Sequence, residues 1–177
     1  MTCETHIVRA ISVTVREMRP EDARRFLEIH HAAVRGIAAR DYPAAVVEAW
    51  ASPITGQLVE RFLANRDQEV RLVAEIDGEP VGIGAIVVSG SELRACYVAP
   101  SAARQGVGSA LVAAIERIAC EHHLDHLELE SSTTAEPFYA ALGYHVESRG
   151  ELLISPDVPM AAVKMRKQLQ CASPSTS

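Results

Sequence analysis

The 177-residue chain is poor in aromatic residues and in cysteine, has no long apolar run and carries no surplus of positive charge. Each shortage excludes something. Its four cysteines, Cys3, Cys96, Cys120 and Cys171, include no Cys-x-x-Cys pair, so their spacing indicates neither a structural zinc site nor a disulfide framework, and reduced thiols are expected. No stretch approaches the roughly eighteen apolar residues of a membrane span, and no basic leader precedes an apolar run at the N-terminus. The expected setting is therefore the cytoplasm, with no membrane partner. A net charge of -6 gives no support to nucleic-acid binding.

What remains is the composition of an ordinary globular chain, long enough to bury one substantial core. A single domain is expected over residues 11–169, with residues 1–10 loose and residues 170–177 a disordered tail. Ile11 to Met18 alternates like a strand, and Pro20-Glu21-Asp22 then opens a helix carrying Phe26, Leu27, Ile29, His30, Val34 and Ile37. Short helices are expected at Ala44 to Trp50 and Ile54 to Asn65, the latter with Leu58, Val59, Phe62 and Leu63 inward. Val70 to Ile76 and Val81 to Val88 read as strands joined by a hairpin at Asp77-Gly78. Gly82 and Gly84 weaken the second strand and imply that another backbone or a ligand comes close there. A strand at His126 to Glu130, a helix from Glu136 to Leu142, and strands at His145 to Leu153 and Pro159 to Lys167 complete the order. It predicts an α/β fold, a mixed and mostly antiparallel sheet of about six to seven strands flanked by helices.

The chain is organised around Glu92 to Cys120, where the alternation of Leu93, Cys96, Tyr97 and Val98 gives way to helical spacing at Val107, Leu111, Val112, Ile115 and Ile118. A strand feeds a helix. Gly106 and Gly108 stand at the helix entrance, where backbone N–H groups lack intrahelical partners and the helix dipole is positive, an arrangement that suits a phosphate. Two better-known phosphate motifs fail here. The segment holds no lysine for a Walker loop, and Ala110-Leu111 stand where a dinucleotide fingerprint needs its third glycine.

The segment CYVAPSAARQGVGSALV resembles the acetyl-coenzyme A motif of the Gcn5-related N-acetyltransferases: a strand, a linker, then Gln/Arg-x-x-Gly-x-Gly/Ala opening a helix. AEPFYAALGY, from Ala135 to Tyr144, resembles the family's second cofactor segment, and the two occur in the family's order and spacing. The resemblance covers roughly residues 12 to 169. One position departs: Ala103 stands where the family has Gln or Arg, with Arg104 and Gln105 following. The resemblance implies acetyl-coenzyme A as cosubstrate, held by Arg104, Gln105, Gly106, Val107, Gly108 and Ser109 around the pyrophosphate, by Cys96 and Val98 along the pantetheine, and by Phe138 and Tyr139. It further implies Tyr139 as the acid that protonates the departing thiolate and the Val98 N–H as the donor to the thioester oxygen.

The implied reaction constrains the remaining residues. An alkylammonium of pKa about 10.4 costs about 4 to 5 kcal/mol to deprotonate at pH 7, and only the neutral amine attacks a thioester, so a base is useful. Strand alternation predicts that Glu92, Arg94, Cys96 and Val98 share one face, which makes Glu92 a candidate base; Glu128 and Glu130 are rivals, and a water chain is a fourth option. Cys96 on an apolar strand is expected to be inert. His122, His123 and His126 cluster near a helix end, where they suit the dipole better than a metal, and no metal is expected. Tyr42, Trp50 and Tyr97 are candidates for acceptor contact. The expected function is acetyl transfer to a primary amine of a small molecule, peptide or protein by direct attack in a ternary complex. The alternative is a module that binds an acyl-coenzyme A without turnover. A homodimer through the terminal strands is possible in this arrangement.

Overall fold

The computed structural model describes residues 12–171. The loose N-terminus expected at residues 1–10 and most of the expected tail lie outside these residues.

Seven strands form one sheet: β1 (Val13–Glu17), β2 (Val70–Ile76), β3 (Glu79–Val87), β4 (Glu92–Val98), β5 (His126–Ser132), β6 (His145–Ser155) and β7 (Val158–Gln168), in the order β1-β2-β3-β4-β5-β7-β6. Every neighbouring pair is antiparallel except β4 and β5. The β2–β3 hairpin turns through Asp77 and Gly78, at φ 51° and 82°, the left-handed pair that a two-residue turn needs. Five helices flank the sheet: α1 (Ala23–Gly36), α2 (Ala44–Trp50), α3 (Gly56–Leu63), α4 (Val107–Glu121) and α5 (Glu136–Ala141). The expected mixed, mostly antiparallel architecture is thus the one observed.

The main core lies between the sheet and α4, where Leu111, Ile115, Leu127 and Met165 are fully buried. Gly82 and Gly84 set the closeness of that contact. A Cβ at Gly82 would stand 2.5 Å from Val107 Cγ1, and one at Gly84 would stand 3.1 Å from Ile115 Cδ1. The close approach implied by these glycines is therefore that of α4. On the other face, α1 and α2 form smaller clusters around Val34, Tyr42, Val47 and Met160, and around Phe26, Ile29 and Val73.

Three expectations are corrected. α3 is peripheral: none of its residues is buried, Leu58, Val59 and Phe62 are half-buried and Leu63 is exposed, with Phe62 4.8 Å from the Phe26 ring and under the Arg71 guanidinium. Cys120 and Cys171 are joined by a disulfide, so the thiols are not all reduced and the chain is fastened as far as residue 171. Fifty-one residues separate the two, and only the sheet brings the end of α4 beside the end of β7. Finally, a bulge interrupts β4: Ala85 pairs with Ala95 but Ile86 pairs with Leu93, leaving Arg94 as the extra residue. The bulge turns Leu93 into the α4 core with Cys96 and Val98, so Glu92 does not share their face.

Tyr42 and His30 support the side opposite α4. The Tyr42 hydroxyl donates to the Ala161 carbonyl at 2.7 Å and accepts from Thr133 N at 2.8 Å and Thr133 Oγ1 at 3.1 Å, tying the loop before α2 to β7 and to the end of β5. Tyr42→Phe removes all three part-buried hydrogen bonds at once, and the expected loss is about 1 kcal/mol in urea unfolding. His30 packs edge-on against Tyr97, and burial pulls its pKa down to about 4, with His31 adding to the shift. The unfolded chain binds this proton with a pKa of about 6.5, so stability is full above that pH and falls as pH drops toward 4, by about 3 kcal/mol. Thermal unfolding of wild type and His30→Gln across pH 4 to 7.5 should show a slope that the variant lacks.

Candidate active site

The glycine-cushioned seat of α4 brings its first turn against the end of β4. Gly106 caps the helix at φ 81°, and Arg104 is also left-handed at φ 62°. The backbone between them folds into a small concavity, and the N–H groups of the first helical turn open into it without intrahelical partners. Gly108 is required for a second reason: a Cβ there would lie 3.0 Å from the ring of Phe138. These residues border a cleft of about 820 Å³ whose lining includes Cys96, Val98, Arg104, Gly106, Val107, Gly108, Ser109 and Phe138. Ala103 also lines it, so the departure from the family pattern falls in the cleft wall. Two residues expected here are placed otherwise. Gln105 turns back to donate to the Ser101 carbonyl at 3.1 Å, and Tyr139 borders a neighbouring cavity instead.

That neighbouring cavity exists because β4 and β5 part company. They run parallel, register at Glu92 and Glu128, are linked there by Glu128 N–H to the Ser91 carbonyl at 2.8 Å, and then diverge. Ladder alternation matters at this gap. Ala99 N–H donates to the Val81 carbonyl on β3, so the N–H of Val98, one residue earlier, points away from β3 and toward the opening. The gap holds a cavity of about 270 Å³ bordered by Glu92 to Tyr97, Glu130, Tyr139, Trp50 and three apolar residues of β6 and β7, Leu152, Ile154 and Met160. Trp50, Cys96, Tyr97, Ser132 and Ala135 border both the cleft and this cavity. The two spaces are neighbours that share these residues as lining.

The ionisable groups around this junction differ sharply. Burial raises the Tyr139 phenol well above 10 and pushes the Cys96 thiol and the Tyr97 phenol up to about 12. All three are neutral near pH 7, and Cys96 Sγ lies 3.8 Å from the Gly108 carbonyl, as expected of an inert thiol. Tyr139 and Cys96 pack on the α4 side of the sheet, whereas Tyr97 and the carboxylates stand on the opposite face. Both oxygens of Glu92 accept from Arg94, at 2.6 and 2.8 Å. Glu128 shares its face with Glu130 as alternation predicts, but Lys164 at 2.8 Å and Arg166 at 3.2 Å hold it below the usual carboxylate range. Glu130 is exposed in the cavity and has no cation within salt-bridge distance among the described residues. No group of three or more His, Cys, Asp or Glu is placed to hold a metal among the described residues. No helix among them is long and apolar enough to cross a membrane.

Trp50 and Tyr97, named from sequence as acceptor candidates, do border the cavity, whereas Tyr42 acts behind the wall. Leu152, Ile154 and Met160 were not foreseeable as lining. An apolar residue on a terminal strand reads as core unless the divergence of two other strands is known.

The sequence profile described as an acetyltransferase (GNAT) domain matches residues 38–167. Among solved structures, the chain is similar to a GCN5-related N-acetyltransferase from Rhodopseudomonas palustris, also described as a class-II aminotransferase, at 29% identity and a TM-score of 0.82, covering 93% of this chain and 100% of that one. It is similar in fold to the PaiA N-acetyltransferase of Thermoplasma acidophilum in complex with coenzyme A, at 19% identity and a TM-score of 0.70, with 89% and 99% of the chains covered. The acetyltransferase yncA of Salmonella typhimurium, in a structure with acetyl-CoA, is similar in fold at 17% identity and a TM-score of 0.65, over 94% of this chain and 99% of that one. No curated protein sequence matches the chain. The profile spans most of the sequence and agrees with the fold and with both cofactor-side segments, and on that ground the chain belongs to the Gcn5-related N-acetyltransferase (GNAT) family.

Proposed function

We propose that the protein moves an acetyl group from acetyl-coenzyme A to a primary amine by direct attack within a ternary complex. The observation that carries this reading is the junction of the two spaces. A cofactor in the 820 Å³ cleft and an acceptor in the 270 Å³ cavity would approach one another at the residues that line both, among them Cys96, Tyr97 and Ser132. A module that only held an acyl-coenzyme A would have no use for the second space.

In this reading the N–H groups of Val107, Gly108 and Ser109 receive the pyrophosphate at the positive end of α4, with Arg104 as a charged neighbour in place of the missing side chain at Ala103. The backbone of Cys96 and Val98 lies along the pantetheine arm, and Phe138 closes over it. The neutral amine attacks the thioester carbonyl, the developing oxyanion takes a hydrogen bond from the Val98 N–H, and the carbon–sulfur bond breaks. Tyr139, kept protonated by burial, gives its proton to the leaving thiolate. Glu92 is a weaker candidate for the base than its position in sequence suggests, because Arg94 occupies both of its oxygens. We therefore assign the amine's proton to water in the cavity rather than to one carboxylate.

Residues 11–169 act as one acetyltransferase domain in this proposal, and the use of acetyl-coenzyme A argues for a cytoplasmic setting. There the Cys120–Cys171 bond would be exposed to a reducing environment. β6 is one of the two edge strands of the sheet, β1 being the other, and in this proposal it is open to pairing with a second copy.

Calorimetric titration with acetyl-coenzyme A, followed by thiol release in the presence of amines, tests the reading; absence of saturable binding at millimolar cofactor sinks it. Tyr139→Phe should lower kcat about a hundredfold while leaving cofactor affinity nearly unchanged. Because Tyr139 keeps its proton beyond pH 10, kcat/KM should climb with pH as the acceptor loses its own proton, with no falling limb below pH 9. A falling limb there would argue against a phenolic acid. Glu92→Gln should cost less than tenfold in kcat.

A further inference from the structure

The bond between Cys120 and Cys171 lies outside both spaces described above, yet solvent reaches it. Cys171 is exposed, and the half-buried Cys120 borders a surface cleft of about 590 Å³ together with Glu116, Gly143, His145 and Lys167. A small thiol can come up to the bond while the chain stays folded. Its place in the chain gives it reach. The 51-residue separation encloses β5, α5, β6 and β7, so the bond fastens the end of α4 to the end of the half that carries Phe138 and Tyr139. α5 borders the larger cleft through Ala135, Pro137, Phe138 and Ala141, and the Phe138 ring rests against Gly108 in the first turn of α4. A line of contacts runs from the bond to α5. Lys167, just before the bond, donates to both carboxylate oxygens of Glu116 at 2.7 and 2.9 Å, and its ammonium stands 5.5 Å over the ring of Tyr144, which meets Tyr139 edge-on at 5.7 Å.

We propose that Cys120–Cys171 is a redox-active site that exchanges with a dithiol in the folded protein, and that opening it loosens α5 and weakens the hold on acetyl-coenzyme A. The cofactor half of this inference rests on the acetyltransferase reading. A thiolate of the reductant attacks the Cys120 sulfur from the surface cleft. A new sulfur–sulfur bond forms as the Cys120–Cys171 bond breaks, and the electron pair leaves on Cys171, which takes up a proton. The reductant's second thiolate then attacks its own sulfur in the mixed disulfide, closing the reductant's disulfide and releasing Cys120, which is protonated in turn. Two electrons and two protons pass from the dithiol to the protein. Cys171 is the better first leaving group, because a thiolate at Cys120 would stand at the negative end of α4 with Glu116 and Glu121 in the same turn. The opened ends stay near one another. The Lys167–Glu116 pair remains, and the Leu169 N–H still donates to the Asp125 carbonyl at 2.8 Å, so the bond can re-form when an oxidant returns. In the proposed cytoplasmic setting a disulfide is mostly transient, catalytic or redox-sensing, which suits a bond that exchanges.

The test treats the full chain with millimolar dithiothreitol, without denaturant, and alkylates the free thiols for peptide mapping. Cys120 and Cys171 should become labelled while the buried Cys96 does not. After removal of the reductant, the reduced protein should melt about 10 °C lower, exchange the backbone amides of α5 and β7 faster, and bind acetyl-coenzyme A about fivefold more weakly by calorimetry. Mild reoxidation should restore all three. Linkage requires the reciprocal effect: saturating acetyl-coenzyme A should make the bond harder to reduce by the same factor. A Cys120→Ser/Cys171→Ser double variant should show the values of the reduced protein and no response to dithiothreitol. A bond that opens only after denaturation overturns the inference. So does a reduced protein whose α5 exchange and cofactor affinity equal those of the oxidised one, since the bond is then a staple alone. If the oxidised protein binds no acetyl-coenzyme A, the acetyltransferase reading has failed, and labelling and amide exchange still decide whether the bond opens and loosens α5.

Discussion

The contact between α4 and the glycine stripe of β3 is the constraint on which the rest of the site depends. Gly82 and Gly84 pair with Val98 and Cys96, so the absence of two side chains on β3 lies directly beside the strand end that lines the cofactor cleft. Alanine at Gly82 would put a methyl group 2.5 Å from Val107, the first residue of α4. The helix could then no longer rest at its present depth. Its first turn, with the free N–H groups and the left-handed Gly106 cap, would move away from β4, and the concavity that suits a pyrophosphate would open. Helix position, anion site and strand end are one geometric unit.

The second determinant is a pairing that stops. β4 and β5 are held together around Glu92 and Glu128 and then separate, which leaves backbone groups on both strands without ladder partners. Exposed edges of this kind usually cost stability. Here the opening is braced from outside. Tyr42 bridges the loop before α2 to Thr133 and Ala161, Thr134 Oγ1 donates to Asp41 at 2.6 Å, and α5 is tied to β6 by the Arg149–Glu136 pair. The gap is therefore a held shape rather than a fray, and a ligand from each side can use it.

Elements with strong local signals were legible in the sequence. The Asp77-Gly78 turn, the α4 spacing from Val107 to Ile118 and the Ala44–Trp50 helix all follow from neighbours a few residues apart, and local sterics decide them. Most of the residues expected on the cofactor side border one cleft because the strand, loop and helix that carry them are contiguous. What failed were statements that depend on distant partners. The bulge at Arg94 is visible only in the register against β3, and it moves Glu92 off the face of Cys96. The Cys120–Cys171 bond depends on β7 ending beside α4, which no cysteine spacing reveals. The inward helix expected at Leu58 to Leu63 had the right period but no neighbour to pack against beyond Phe26.

The acceptor side illustrates why fold and substrate are encoded differently. The larger cleft is built largely from one continuous stretch, whereas the smaller cavity takes Trp50 from α2, Glu130 from β5 and Met160 from β7, each more than 25 residues from the next. Such a wall can change one residue at a time without disturbing α4 or its glycine seat. Its charges show the same dependence on distant elements: Glu92, Glu128 and Glu130 stand on this face of β4 and β5, and their cations come from the bulge at Arg94 and from β7, where Arg166 and Lys164 lie directly opposite Glu128 and Glu130 in the ladder. The pairing that shapes the wall thus also sets its charge, so neither can be read from one strand alone.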